Sequence, residues 1–317
     1  MRSKLTYLLI LITVVGFSQT SSINDAIKRG RDFLKHIQRT DGAIADTSKT
    51  LFETWETVLA ATALYETQKD TNEVTFQKAV NFLRRNENAD GLICHNRKCK
   101  EAYCLETTSQ YFLLLIRIGL KEKIISRLEI IKKLQKPSGE WEIGNPDVKE
   151  IKDFPSVTAF MLQLFQEAGI KPKYEKETYK WLISKQNKDG SFGSAWEYYD
   201  CPLYALWPFM NISAKELIAS KKKAENFILK NKQMNGIWNF KTQKGPSMEL
   251  QTALVLAAMQ NNLNDRKTST LFLLKYQQMN GSWNGGLFPV KSDSYIKHEY
   301  VFATSLSLIA LALQPGK

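Results

Sequence analysis

A glycine-containing turn recurs six times along this chain, and so regular a period is compatible with few folds. One copy, residues 186–192, reads Gln-Asn-Lys-Asp-Gly-Ser-Phe and stands between an amphipathic segment and an apolar one. Successive glycines are 45 to 51 residues apart, and they are Gly42, Gly91, Gly139, Gly190, Gly236 and Gly281. Repeats of this length are typical of helical hairpins, each of which needs its neighbours to bury its apolar face.

Each repeat combines two kinds of predicted helix. In the first repeat, Ile27, Phe33 and Leu34 lie on one face of a helix whose other face is charged, as expected of a surface helix. Residues 57–64 are apolar or small on every side, so this second helix must be surrounded by protein. Six such pairs predict an all-α fold. It is an (α/α)6 toroid with inner and outer rings of helices, forming one domain over residues 19–317.

The turn sequence, Gln-x-x-Asp/Asn/Ser-Gly-x-aromatic, resembles the QW motifs of squalene-hopene and oxidosqualene cyclases and, more widely, the toroids of protein prenyltransferase β subunits. The resemblance covers residues 23–313, and residues 101–109 are similar to a Glu-Cys-Thr-Ser segment of triterpene cyclases. Some repeats depart from the motif, since Glu87 and Lys232 replace the glutamine and Ile44 and Ile93 replace the aromatic residue. The resemblance implies an (α/α)6 barrel with an apolar central cavity.

Acidic residues occur near the predicted start of every inner helix, and these starts share one end of the ring. They are Glu53, Glu56, Glu106, Asp153, Asp200, Glu249 and Glu299. On a structural interpretation, such carboxylates accept hydrogen bonds from the first backbone N–H groups and complement the helix dipole. On a functional interpretation, carboxyl groups around a desolvated mouth raise one another's pKa and supply a proton donor. The catalytic candidates are Glu53, Glu56, Asp200 and His298.

The class II cyclases that the turns resemble protonate an alkene with an Asp from a D-x-D-D-T motif and guide the carbocation with aromatic faces. The closest local match is Glu53-Thr54-Trp55-Glu56-Thr57, in which Trp55 takes the place of the proton-donating Asp. The resemblance therefore implies either a modified mechanism, in which Glu53 or Glu56 substitutes, or a toroid that binds a ligand without chemistry.

Aromatic residues cluster in the fourth and sixth repeats. They predict either core packing or a cavity lining suited to an isoprenoid, a sterol-like ligand or a stacked sugar ring. The ligand-binding candidates are Trp55, Glu106, Asp153, Trp196, Tyr199, Tyr204, Trp207, Glu249, Tyr295, Glu299 and Phe302. The long loop at residues 284–297 is placed to cover the mouth of such a cavity.

The four cysteines predict one disulfide. Cys94 and Cys99 flank a short polar loop and are the easiest pair to close in an oxidising compartment. Cys104 and Cys201 are then either free or bridged across the core. A metal site made of Cys94, His95, Cys99 and Cys104 is the less favoured alternative.

A second metal site is suggested by resemblance to the zinc-binding Asp, Cys and His of protein prenyltransferases. Asp200 and Cys201 match the first two ligands, but His298 stands at a different spacing from the third. We therefore predict no metal and no cofactor.

Residues 1–18 differ from the rest of the chain. Arg2 and Lys4 are followed by an almost wholly apolar run and by small residues at 16–18, which predicts a cleaved signal peptide, with an uncleaved anchor as the alternative. The protein is then periplasmic or secreted. Loss of these two basic residues lowers the formal charge from +12 to +10. That charge is spread over outer-helix faces, which indicates a solvated surface or attraction to anionic glycans or membrane lipids.

Three functional hypotheses follow. The first is an exported, terpenoid-cyclase-like protein that binds or transforms an isoprenoid or other small apolar ligand in its central cavity. The second is a non-catalytic toroid that binds a ligand or a partner, and the third is a secreted glycan-active (α/α)-barrel enzyme. An export signal and the lack of a recognised binding motif disfavour nucleic acid. Nothing in the sequence specifies an oligomeric state.

Overall fold

The computed structural model describes residues 23–46, 52–146, 154–192, 202–240, 245–260, 266–289, 295–297 and 300–313. In these ranges the chain forms twelve α-helices and one small hairpin. The outer helices are α1 (residues 23–36), α3 (Val74–Arg85), α5 (Ile125–Leu134), α7 (Glu175–Lys185), α9 (Ile218–Lys230) and α11 (Arg266–Tyr276). The inner helices are α2 (Glu53–Gln68), α4 (Leu105–Arg117), α6 (Pro155–Ala168), α8 (Pro202–Asn211), α10 (Met248–Ala258) and α12 (Tyr300–Ala312).

The inner helices form a closed ring. Each packs against the next in chain order, and α12 packs against α2 to complete the circle. Residues 301–311 of α12 are all buried, as expected of a helix that is apolar on every side. The predicted (α/α)6 toroid is confirmed.

The outer ring is closed by the turn glycines. A Cβ atom on Gly139 would lie 2.3 Å from the backbone of Glu177 in α7, and one on Gly281 would lie 2.2 Å from the Arg29 carbonyl oxygen in α1. Each turn therefore meets the following outer helix, and the last turn meets the first helix. The outer helices end five or six residues before these glycines. The glycine amide instead closes a tight turn, as in the bond from Gly190 N to Asn187 O.

Where the motif glutamine is present, it joins its turn to the next outer helix. Gln135 Nε2 donates to Gly139 O (2.9 Å) and to Thr178 Oγ1 (2.8 Å), and its Oε1 accepts from Tyr174 N (2.9 Å). The glutamine thus bonds to the backbone at the start of the neighbouring outer helix. In the second repeat Glu87 accepts two 2.8 Å bonds from the Arg127 guanidinium of α5, so an ion pair replaces the amide.

Replacing Gln135 with leucine is expected to lower the free energy of unfolding by about 2–3 kcal/mol, because it leaves buried backbone groups without partners. Urea denaturation monitored by circular dichroism measures the change. Gln77, exposed on α3, supplies the control, since its replacement by leucine should cost less than about 0.5 kcal/mol. Equal losses in the two variants would contradict a clamping role for Gln135.

One element was not predicted. Within residues 284–297, strands β1 (Leu287–Pro289) and β2 (Tyr295–Lys297) pair antiparallel, with Phe288 opposite Ile296. These strands are too short for alternation of polar and apolar residues to reveal them in the sequence. Among the described residues, no helix combines the length and apolar character needed to cross a bilayer.

Candidate functional site

The inner helices enclose an axial cavity of about 320 Å³. Its walls form an apolar belt of Leu59, Leu113, Phe160, Trp207 and Ile309. Its rim carries polar side chains near the C-terminal ends of the inner helices, namely Glu66, Arg117, Glu167, Asn211 and Gln260. The sequence hypothesis placed a ligand-binding mouth at the opposite end, where the inner helices begin. Within the described residues, this cavity lies toward the helix ends instead.

The charges at the rim are paired with one another. Arg117 Nη1 lies 3.6 Å from Glu66 Oε1, and Arg117 Nη2 lies 3.4 Å from Glu167 Oε1. Gln163 Nε2 donates to the same Glu167 oxygen at 2.8 Å. The guanidinium therefore bridges two carboxylates that project from α2 and α6.

A buried acid lies one helical turn below the cavity floor. Glu106 stands four residues before Gln110, a lining residue of the same helix, so the two share one face. Glu106 is 4% exposed and accepts a hydrogen bond from the Tyr204 hydroxyl, which reaches it from α8. Burial raises the pKa of Glu106 to about 7, although hydrogen bonds from Tyr204 and Trp55 oppose the rise. A large fraction of this carboxyl is therefore protonated at neutral pH.

Aromatic rings connect this acid to the cavity. Centroid distances are 4.7 Å between Trp55 and Phe302, 6.0 Å between Phe302 and Tyr204, and 6.2 Å between Tyr204 and Phe160. Phe160 in turn lies 5.2 Å from Trp207, and both of these rings line the cavity. The structure thus brings five of the sequence candidates together: Trp55, Glu106, Tyr204, Trp207 and Phe302.

The remaining acidic candidates that the structure describes are Glu53, Glu56 and Glu249, and they make different contacts from Glu106. Glu53 is buried and forms ion pairs with Arg39 and with Arg97, whose Nε lies 2.7 Å from Glu53 Oε1. Glu56 Oε2 accepts a 3.2 Å hydrogen bond from the backbone of Asp46. These contacts favour the structural interpretation for both residues. Glu249 is partly buried, and burial raises its pKa.

The sequence patterns did not identify several polar residues that the structure places at or near the site. Asp46 accepts a 3.2 Å hydrogen bond from Val301 N at the start of α12, and burial raises its pKa to about 6. Gln110, Gln163 and Arg117 belong to the cavity, and one signal could have revealed them. A polar residue on a helix that is otherwise apolar on all sides must face either a partner or an internal space.

The predicted disulfide between Cys94 and Cys99 is present. His95 Nδ1 lies 3.4 Å from Cys94 Sγ and 3.5 Å from Cys99 Sγ, a grouping that could hold a metal, but both sulfurs are used by the S–S bond. Cys104 is a buried free thiol, and burial raises its pKa to about 12. It is therefore a neutral packing residue at physiological pH.

Seven candidate residues lie outside the described part of the chain, namely Asp153, Trp196, Tyr199, Asp200, Cys201, His298 and Glu299. Tyr295 belongs to β2, where its backbone pairs with Pro289.

Comparison with known proteins gives a family and several similar folds. The model of the prenyltransferase alpha-alpha toroid domain matches residues 2–107 and 112–237. No curated protein sequence matches the chain.

Three solved structures illustrate the fold similarity. A variant of the type II terpene cyclase MstE from Scytonema, in complex with geranylgeranyl dihydroxybenzoate, is 14% identical and aligns over 94% of this chain and 98% of its own, with a TM-score of 0.74. The ent-copalyl diphosphate synthase from Streptomyces platensis is 16% identical over 83% of this chain and 50% of its own, with a TM-score of 0.62. An unsaturated glucuronyl hydrolase specific for heparin is 14% identical over 92% of this chain and 96% of its own, with a TM-score of 0.60. At such identities the similarity shows the fold alone.

Proposed function

Since the chain belongs to the prenyltransferase α/α-toroid family, we propose that it binds an isoprenoid or similar apolar ligand in the axial cavity and transforms it by proton transfer from Glu106. The observation that carries the proposal is the buried, protonatable carboxyl of Glu106, joined to the cavity by a continuous series of aromatic rings.

The shape and polarity of the cavity suit a small amphiphile. Its volume of about 320 Å³ is at the lower end of the roughly 300–1,000 Å³ typical of small-molecule sites. The apolar belt lies below a polar rim, so an isoprenoid tail would enter first and a polar head would stay at the rim. The tail would then point toward Phe160 and the acid beyond it.

The chemistry needs one mobile proton. The Tyr204 hydroxyl donates a hydrogen bond to Glu106, and the protonated form of this carboxyl carries the acidic hydrogen. Transfer of that proton to one alkene carbon forms a C–H bond and leaves a positive charge on the other carbon. The faces of Trp55, Tyr204 and Phe302 stabilise such a charge. Loss of a proton from a neighbouring carbon to the Glu106 carboxylate left by the first transfer then gives a neutral isomer and restores the acid.

Access to the acid sets a structural requirement. Glu106 and Tyr204 do not line the cavity, whereas Gln110 and Phe160 do. The inner end of the ligand must therefore pass between these two side chains before proton transfer. This same observation favours a second candidate function, in which the toroid binds the ligand without changing it.

Incubation with prenyl compounds tests the proposal. The purified protein is mixed separately with farnesol, geranylgeraniol and squalene, binding is followed by native mass spectrometry, and extracts are analysed by gas chromatography and mass spectrometry. We expect a bound prenyl compound and an isomeric product of unchanged mass. Binding without a product would support the second function. Binding of a heparin-derived unsaturated disaccharide, with no prenyl compound bound, would contradict both and favour the glycan hypothesis.

We also propose that the protein acts outside the cytoplasm. The signal-like residues 1–18 support this proposal, as does the Cys94–Cys99 disulfide, since disulfides persist mainly in oxidising compartments. N-terminal sequencing of protein from the periplasm or culture medium of the producing cells should begin at residue 19. Recovery of intact Met1 in the cytoplasmic fraction would contradict export.

A further inference from the structure

We propose that the cavity ligand carries an uncharged hydrogen-bond donor, an alcohol or phenol hydroxyl, at the rim, and that the site rejects carboxylate and phosphate heads. This inference rests on the proposed function, because it assigns the head group of the apolar ligand for which that function argues.

The charges at the rim disfavour an anionic head. The described lining residues include two carboxylates, Glu66 and Glu167, but a single cationic group, Arg117, which already lies between them. A phosphate or carboxylate head would have to displace Glu66 and Glu167 from Arg117, and it would then lie close to two repelling negative charges. A cationic head would in turn compete with Arg117 and with Lys69, which pairs with Glu66.

The orientation of Gln163 leaves an acceptor without a donor. A carboxylate can only accept hydrogen bonds, so the side chain must present Nε2 to Glu167, as the 2.8 Å bond shows. That bond is the single one formed by the Gln163 side chain within the described residues. Gln163 is 7% exposed and lines the cavity. Its Oε1 is therefore an unused acceptor.

The same reasoning determines the orientation of the Gln260 side-chain amide. Asn211 Nδ2 donates to Trp207 O (3.1 Å), so Asn211 presents its Oδ1 to the cavity side and accepts from Gln260 Nε2 at 3.1 Å. The Gln260 side chain makes no other bond in the described part of the chain, which leaves its Oε1 as a second unused acceptor. Thr62 Oγ1 uses its hydrogen on Val58 O (2.8 Å) and can only accept further bonds.

The atoms Gln163 Oε1, Gln260 Oε1 and Thr62 Oγ1 share one property. Each can accept a hydrogen bond from a ligand, and none can donate one. A hydroxyl head can donate its one hydrogen to one of these acceptors, whereas an ether or ester offers only acceptors and can pair with none of them. The apolar belt below the rim then receives the tail, which orients the ligand with its head outward and its hydrocarbon end toward Glu106.

A series of compounds with one tail and different heads tests the inference. Calorimetry at pH 8 compares farnesol with farnesyl methyl ether, farnesoic acid and farnesyl phosphate, each below its micelle concentration. We expect farnesol to bind at least about tenfold more tightly than the other three. Equal affinity for the methyl ether, or tighter binding of the acid or phosphate, would overturn the inference.

A second series with a straight tail separates this inference from the proposed function. Dodecanol, dodecyl methyl ether and dodecanoic acid carry the same heads on a tail that no isoprenoid enzyme would transform. A preference for dodecanol over its ether and acid would support the hydroxyl head even if farnesol bound no more tightly than dodecanol, a result that would count against the isoprenoid proposal alone. If neither alcohol binds, the head-group inference is overturned.

Variants locate the effect at the rim. Gln163→Leu and Gln260→Leu should each reduce the preference for alcohol over ether by about fivefold. Gln166→Leu is the matched control, because Gln166 is on the same helix as Gln163 but bonds Ser213 and does not line the cavity. In the double variant Glu66→Gln and Glu167→Gln, Arg117 loses both anionic partners, so affinity for farnesoic acid should rise about tenfold. An unchanged affinity for the acid would contradict the electrostatic argument.

Discussion

Substitution of Glu106 by glutamine is expected to lower turnover of a prenyl substrate by about 10²–10⁴-fold, the range typical of a lost general acid. Glutamine preserves the shape of the side chain and still accepts the hydrogen bond from Tyr204, but it holds no transferable proton. Binding should stay within about threefold of the original protein, because the residue lies below the cavity floor and contributes no lining surface. The measurement compares single-turnover product formation with calorimetric affinity for the same compound.

Glu140 supplies the control for this experiment. It is also a buried carboxyl, 5% exposed, but it belongs to a turn between α5 and α6 and not to the inner ring. Glu140→Gln should leave turnover unchanged. Full activity of the Glu106 variant would remove this residue from the mechanism and leave ligand binding as the function.

The pH dependence of turnover and of stability should also reveal the role of Glu106 as the acid. Burial raises the pKa of Glu106 from an ordinary 4.5 to about 7, and the protonated form is the active one. Activity should therefore fall about tenfold per pH unit above pH 7. The folded state binds this proton more tightly than the unfolded state. The contribution to stability is thus complete below about pH 4.5 and is lost as the pH rises through about 7. Both trends should be absent from Glu106→Gln.

Replacing Gly281 with alanine is expected to lower the free energy of unfolding by about 3 kcal/mol or more. Two effects add at this position. Its φ of +89° lies in the left-handed region, and a Cβ atom would approach the Arg29 carbonyl oxygen to 2.2 Å. The steric clash of the added Cβ atom pushes the sixth turn away from α1, where the last repeat meets the first. Calorimetric melting and urea denaturation both measure the loss.

Gly119 separates these two effects. Its φ is +80°, but a Cβ atom there would meet nothing within 4 Å. Gly119→Ala should therefore cost about 1 kcal/mol, through backbone strain alone. Similar losses for the two variants would show that close packing at Gly281 adds nothing to the stability of the ring.

The repeat made the architecture predictable because its signals are local. A turn glycine, a buried glutamine and the alternation of amphipathic with apolar helices can all be read within one hairpin, and six copies imply a closed ring. The departures were also informative. Glu87 interrupts the motif in the sequence, but its charge is matched by Arg127 from the next outer helix. Such compensation depends on contacts between distant residues, which a repeat pattern does not reveal.

The candidate site was predicted less completely, and the reason is geometric. The sequence identified Trp55, Glu106, Tyr204, Trp207 and Phe302 by residue type, and the ring brings them together. It placed the ligand-binding mouth at the starts of the inner helices, whereas the cavity lies toward their C-terminal ends. A pattern within one repeat does not show where the side chains of six helices leave space. Glu53 was a catalytic candidate from its position at a helix start, and only the structure reveals the two arginines that pair with it.

The joint between α1 and the sixth turn has a consequence for how the chain folds. Gln277 Nε2 donates to Ala26 O, a hydrogen bond between residues 251 positions apart. In an open array of repeats, stability grows by the addition of neighbours, and the end units fray independently. In this ring the first helix, α1, and the turn of the last repeat bond to each other. The ring can therefore close only after the last repeat has been synthesised. The whole chain should consequently unfold in a single cooperative transition, and closing so long a loop makes its folding slow.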